Sequence, residues 1–248
     1  IDDIYTQHGT NEIIDLLGNA QLFSFPKPSE FIKKLIDIGT KGDGEEIILD
    51  FFAGSASTVQ AVISANSSDG ATRKVIAIQL PEVCDVKSEA FKNGYKTIAE
   101  IGKERIRRAG KKIKDESPLT TTNLDIGFRV LKIDTSNMKD VYYNPDAVSQ
   151  KNLLDHISNI KEDRSDEDLL FQVLLDLGTD LSLPIRRQNI LGKEIFFVEG
   201  GDIPHLIACF EKGITEDLVK QIAKHTPMKV VFRDDGFASD SVKINVEQ

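Results

Sequence analysis

A chain of 248 residues, 40% hydrophobic and 29% charged, can bury one large core or two modest ones. No run approaches the roughly 18 consecutive apolar residues of a membrane helix, and the first residues carry neither a basic leader nor an apolar signal region, so a cytoplasmic protein is expected. The net charge of −9, from 16 basic against 18 acidic residues up to Asn123 and 15 against 22 after it, excludes wrapping of DNA by overall basicity.

In chain order, Ser29 is placed to cap a helix whose Phe31, Ile32, Leu35 and Ile36 share a face and which Gly39 ends. Glu46 to Phe52 reads as a buried strand after a Lys-Gly-Asp-Gly turn, and helical spacing resumes from Thr58 to Ala65. Val75 to Leu80 reads as a second strand at a distance that suits a βαβ crossover, hence a parallel pair. A long helix from about Tyr95 to Lys114 aligns Ile98, Gly102, Ile106, Ala109 and Ile113, with Arg105, Arg107, Arg108, Lys111 and Lys112 expected mostly elsewhere. Ser117 to Asn123 is polar, contains a proline and reads as a linker.

Beyond it, Phe128 to Ile133 alternates like a strand. A helix from about Asp166 to Leu177 begins with Ser165 and Asp168 as a capping box. Glu194 to Glu199, Leu206 to Phe210 and Lys229 to Phe232 read as strands, and Thr215 caps a further helix. The expected domains are 1–117, α/β, and 124–248, a smaller α+β unit. Cys84 and Cys209 form no CxxC or Cys/His cluster, which argues against a disulfide framework or structural zinc and fits a reducing compartment. The scattered His8, His156, His205 and His225 read as surface or packing residues. The run Arg105 to Lys114 reads first as a solvated, ion-paired helix face and only second as a contact for DNA phosphate.

Two segments carry chemistry. Asp50-Phe51-Phe52-Ala53-Gly54-Ser55-Ala56-Ser57-Thr58 lies where an open α/β sheet binds ligands, after a strand and at a helix N-terminus. Gly54 permits close approach to the backbone there, and the first N–H groups of the helix favour an anion; a plain tight turn is the alternative. In Phe23-Ser24-Phe25-Pro26-Lys27-Pro28 two prolines stiffen the backbone and present Lys27 at a fixed place. A rigid lead into a helix, with a solvated lysine, is the alternative there.

FxxPKP, an amphipathic helix and then LDFFAGS is an order that resembles the β-class DNA amino-methyltransferases. VIAIQLPE, ERIRRAGKKI and the early Gly9-Thr10-Asn11-Glu12 narrow the resemblance to the modification (Mod) subunits of type III restriction-modification systems, the adenine-N6 methyltransferases. It is good to about residue 114. FRVLKID, FFVEGG and VVFRDDGF resemble that family's C-terminal domain more weakly. The resemblance implies a partial doubly wound, Rossmann-like sheet binding S-adenosylmethionine, followed by a C-terminal α+β assembly domain. Implied partners are duplex DNA and the restriction (Res) subunit, with a homodimer expected and no membrane.

The implied cofactor contacts are Phe25, Lys27, Pro28, Asp50, Phe52, Ala53, Gly54, Ser55, Thr58, Gln79 and Glu82. The FFAGS loop would surround the methionine and ribose portions, and Phe25, Lys27 and Pro28 would close the other side. Lys27 suits the cofactor's carboxylate and Asp50 its ammonium. Phe25 or Phe52 suits the adenine face or the sulfonium.

Two positions depart from the family pattern. Ala56 replaces the usual glycine after the loop serine, so the loop is expected to run in a conformation that alanine tolerates. Gln79 replaces the usual strand-ending carboxylate, with Glu82 three residues on, and could still pair with a ribose hydroxyl. The family's catalytic D-P-P-Y occurs nowhere in the sequence, and Asn144-Pro145-Asp146 is not it. No catalytic residue is therefore assigned, and a C-terminal fragment inactive alone is expected. If it supplies only half of a sheet, the strand Ile47 to Phe52 would present an apolar edge, expected to be buried in a dimer or poorly ordered. A nucleotide- or NAD-binding domain, disfavoured because GxGxxG is absent, and a non-catalytic assembly module are the alternatives.

Overall fold

A computed structural model describes residues 3–43, 46–139 and 159–247; Asn144-Pro145-Asp146 and His156 lie outside them. The chain forms two compact units, Ile1–Leu131 and Lys132–Gln248, both mixed α/β. The division falls later than the Ser117 to Asn123 stretch, because Leu124 and Ile126 pack in the first unit beside Ile106 and Ile113.

The first unit opens with α1 (Thr6–Leu17), a helix not expected from the sequence, followed by a 3-10 turn (Ala20–Leu22). Next come α2 (Ser29–Gly39), β1 (Ile47–Asp50), α3 (Ser57–Asp69), β2 (Lys74–Ala77), the short α4 (Glu89–Lys92) and α5 (Ile98–Glu116). The helix cap of α2 is Pro28; Ser29 is its first residue and does not cap it. Of the expected apolar face, Ile32 and Ile36 pack against Ala61, Val62 and Ala65 of α3, whereas Leu35 is exposed.

Strands β1 and β2 pair in parallel with Ile48 opposite Val75, the crossover expected from the spacing. Both strands are shorter than the apolar runs suggested. Ile48 and Val75 face the α2 and α3 core. Ile47, Leu49, Ile76 and Ile78 point to the other side and are exposed, although parallel sheets are ordinarily covered on both faces. Arg73 is buried at the start of β2. It forks onto Asp69 at 3.1 and 2.7 Å and donates from Nε to Thr40 Oγ1 at 2.8 Å, tying together the ends of α2 and α3. The fork lowers the Asp69 pKa and raises that of Arg73, as a mutual charge-assisted bond must.

In the second unit α6 (Asp166–Asp176) starts on the expected capping box, Ser165 with Asp168. Then follow β3 (Ile185–Ile190), β4 (Lys193–Glu199), β5 (Pro204–Cys209), α7 (Glu216–Ala223), capped by Thr215, β6 (Val230–Phe232) and α8 (Asp240–Glu247). The sheet runs β3-β4-β5-β6, antiparallel except for the parallel pair β5 and β6. Alternation decides which side chains go where. Phe196, Val198, Leu206 and Ala208 meet Leu169, Leu170 and Leu174 of α6 on one face. Ile195, Phe197, Ile207 and Cys209 meet Ile214, Leu218 and Ile222 on the other.

Strand β3 escaped the sequence because Arg186, Arg187 and Gln188 make it a charged edge. Its two arginines lie over the rings of Phe197 and Phe196. Phe128 to Ile133 is not a strand; Val130, Leu131 and Ile133 are exposed, and the alternation finds no neighbour to pair with among the described residues. His205 bonds Thr179 and His225 packs edge-on against Phe197, so both are structural.

Candidate functional site

The glycine loop grows out of the parallel pair. Beyond the strands, Ile78 N–H donates to Asp50 O at 2.7 Å and Ala53 N–H to Ile78 O at 3.0 Å, so the ladder carries the chain into the turn. Asp50 then caps it, accepting the Thr58 hydroxyl at 2.5 Å and the Phe52 N–H at 3.1 Å. Gln79 Oε1 accepts the Gly54 N–H at 2.7 Å. Gln79 therefore shapes the loop, with acceptor capacity to spare for a ligand hydroxyl. Phe52 is 80% exposed at the lip. Glu82 lies exposed in the connection after β2, its carbonyl accepting the Ile98 N–H at 3.0 Å.

Gly54 has φ 51° and Ala56 φ 61°, both left-handed. The expectation that Ala56 would avoid this region is overturned. The cost of about 1–2 kcal/mol is tolerated because surrounding contacts fix the turn. Ala56 is buried, and the loop lies so close to α5 that a Cβ on Gly102 would stand 3.2 Å from Gly54 O and 3.5 Å from Ala56 Cβ.

The Phe23 to Pro28 segment reaches the same loop. A Cβ on Gly54 would stand 3.1 Å from Cζ of Phe23. Pro26 and Pro28 are buried and Lys27 is exposed, so the prolines hold the backbone while the ammonium faces solvent; it has no ion pair or hydrogen bond among the described residues. Phe25 is 92% exposed and has φ 56°. A bulky aromatic residue held strained and bare to water is the kind of outlier that marks ligand sites. Gly9 supports the segment from α1, since a Cβ there would fall on the Pro26 carbonyl.

Sequence reasoning missed two residues at the centre. Arg105, assigned to a basic outer face, is 0% exposed. It donates from Nε to Gln60 Oε1 at 2.8 Å, from Nη1 to Ser55 Oγ at 2.8 Å and Ser57 Oγ at 2.7 Å, and from Nη2 to Glu12 at 2.5 Å. Glu12 in turn accepts the Ser29 N–H at 3.0 Å and its hydroxyl at 2.9 Å. Burial pushes the Arg105 pKa down while Glu12 opposes that shift. The signal was available: Arg105 follows Ile98 by seven and Gly102 by three, inside the apolar stripe, and Glu12 shares a face of α1 with Gly9, Ile13 and Leu16. The rest of the basic run is partly engaged, with Arg108 donating to Leu16 O at 3.1 Å, Lys112 pairing with Asp15, and Arg107 over the Phe128 ring.

The DNA methylase family (N6_N4_Mtase) matches residues 2–83, which hold the Phe23 to Pro28 segment, the glycine loop and Gln79. Over 129 residues, 52% of this chain, it is 40% identical to the type III restriction-modification enzyme StyLTI Mod subunit of Salmonella typhimurium, covering 19% of that protein. It is 43% identical over 127 residues, 51% of the chain and 19% of the relative, to the EcoPI Mod subunit of Escherichia phage P1. With the type II methyltransferase M.KpnI of Klebsiella pneumoniae it shares 36% identity over 102 residues, 41% of the chain and 24% of the relative. The chain thus spans about a fifth of the length of the Mod subunits it matches. Residues 2–83 match the DNA methylase family, and about half of the chain is 40–43% identical to a segment of type III Mod subunits.

Proposed function

We propose that this chain is the cofactor-binding and C-terminal part of a type III Mod subunit, a DNA adenine-N6 methyltransferase that uses S-adenosylmethionine. Its β1-α3-β2 crossover would be part of a doubly wound sheet, with the second unit an assembly domain. The observation that carries the reading is the meeting of the Phe23 to Pro28 segment with the glycine loop through Phe23 and Gly54, inside the stretch that matches the DNA methylases.

The residues present suit the ligand. The exposed Lys27 ammonium and the first N–H groups of α3 complement a carboxylate. Asp50, with two of its lone-pair sites occupied, can accept from an ammonium. Phe25 and Phe52 offer bare rings to the adenine or the sulfonium. Pro28, Ala53, Ser55 and Thr58 would form the remaining wall, and Gln79 and Glu82 would serve the ribose. S-adenosylmethionine supplies an electrophilic methyl on sulfur. Groups that orient the adenine amine are expected in a D-P-P-Y segment, which this sequence does not contain, so the chain is expected to bind the donor without methylating DNA. Duplex DNA, the Res subunit and a second Mod copy are the proposed partners of the full-length protein.

Titration calorimetry with S-adenosylmethionine, S-adenosylhomocysteine and NAD tests the reading. Saturable binding of the first two and none of NAD is expected. Binding of NAD alone would establish a nucleotide-binding domain, and silence to all three would leave an assembly module.

A further inference from the structure

We infer that Glu12 and Arg105 are positioning residues of the donor site, a buried bridge that sets the distance between the glycine loop and the lysine-bearing segment. The inference rests on the S-adenosylmethionine reading and deepens it.

The two walls come from parts of the chain separated by α2 and β1, and they meet where Phe23 stands against Gly54. Behind them runs a continuous polar path. Ser55 and Ser57, in the loop and at the first turn of α3, bind Nη1 of Arg105; Nη2 of Arg105 binds Glu12; Glu12 binds the N–H and hydroxyl of Ser29, the residue after Pro28. Every link is between 2.5 and 3.0 Å.

A guanidinium at the N-terminus of α3 opposes the helix dipole, and its complete burial is costly. Hydrophobic packing alone would be served as well by an apolar side chain. What an apolar residue cannot do is hold two hydroxyls, an amide and a carboxylate in one plane, which the five-donor fork of arginine does. Glu12 neutralises the charge and passes the constraint to the second wall. Gly9 and Gly102, on the same two helices, let α1 and α5 approach the two walls closely enough for the bridge to span them. A ligand that touches both walls gains from having their separation fixed beforehand.

The test is a double-mutant cycle in donor affinity, with Glu12→Gln, Ser57→Ala and the double variant of the full chain, each first shown folded by circular dichroism. Neither residue is expected to touch the donor. Each single change should weaken S-adenosylmethionine binding about tenfold. The double should weaken it by no more than about tenfold, because a bridge cut at one end has nothing left to lose at the other. Unchanged affinity in folded single variants, or an additive loss of about a hundredfold in the double, would overturn the inference. Should Glu12→Gln not fold, Ser29→Ala takes its place with the same expectation. Failure of the unaltered chain to bind S-adenosylmethionine would instead sink the reading of the site, and the bridge with it.

Discussion

Three glycines and a buried ion pair do more for the candidate site than its exposed residues, because they decide how closely backbone can meet backbone. Gly9 is the sharpest case. A methyl there would fall on the Pro26 carbonyl, a main-chain atom that cannot swing away. Gly9→Ala is therefore expected to destabilise the first unit by about 1–3 kcal/mol, despite the better helix propensity of alanine; chemical denaturation measures it, and an unchanged or raised midpoint would show that α1 does not clamp the segment. At this scale the sequence was legible where a residue type has one use, as with Gly54 in the turn or Lys27 between prolines. It misled where a charge sits in an apolar stripe. Arg105 belongs to a run of six basic residues between positions 105 and 114, and composition outweighed periodicity although its spacing from Ile98 and Gly102 places it inside. Ala56 misled in the opposite way, since its left-handed backbone is held by contacts from α5 that no local reading contains.

Elements were legible to the extent that their ends are encoded locally. The capping box of α6 closes as side-chain chemistry dictates: Ser165 accepts from the Asp168 N–H, and Asp168 takes the Ser165 hydroxyl at 2.7 Å and N–H at 2.8 Å. These bonds, the hydroxyl first, hold the Asp168 pKa below its ordinary value. A depressed carboxylate stabilises the fold above its unfolded pKa and loses that contribution as pH falls through the folded one. Ser165→Ala should thus cost about 1 kcal/mol near neutrality, and its deficit should shrink below about pH 4; a deficit independent of pH would refute the coupling.

The β3-β4 hairpin was not legible, because Leu191-Gly192 lacks the usual Asn or Asp at the first turn position. Both residues nonetheless have positive φ, 51° and 82°, as a type I′ turn requires. Leu191 is exposed, so little packing opposes replacing it. Leu191→Asn is expected to stabilise the second unit by about 1 kcal/mol, read as a raised melting temperature; a lowered one would mean that the leucine packs in solution.

Across the whole molecule, the two units differ in how fully they are covered. In the second, both faces of the sheet carry a helix, whereas in the first β1 and β2 carry helices on one face and leave Ile47, Leu49, Ile76 and Ile78 bare. By itself the chain is expected to bury that face and the free edge of β1 against a second copy. Sedimentation equilibrium should find a dimer that Leu49→Lys dissociates; a monomer at all concentrations would contradict this. The family resemblance was legible because the two segments that carry its motifs are short and local. The bridge behind them was not, because it joins residues 93 positions apart. The two segments are expected to share one donor site. Ultraviolet cross-linking of methyl-labelled S-adenosylmethionine, followed by peptide mapping, tests that most directly. Label is expected in the peptides that carry Phe25 and Phe51-Phe52, displaced by S-adenosylhomocysteine; specific label confined to residues 132–248 would contradict it.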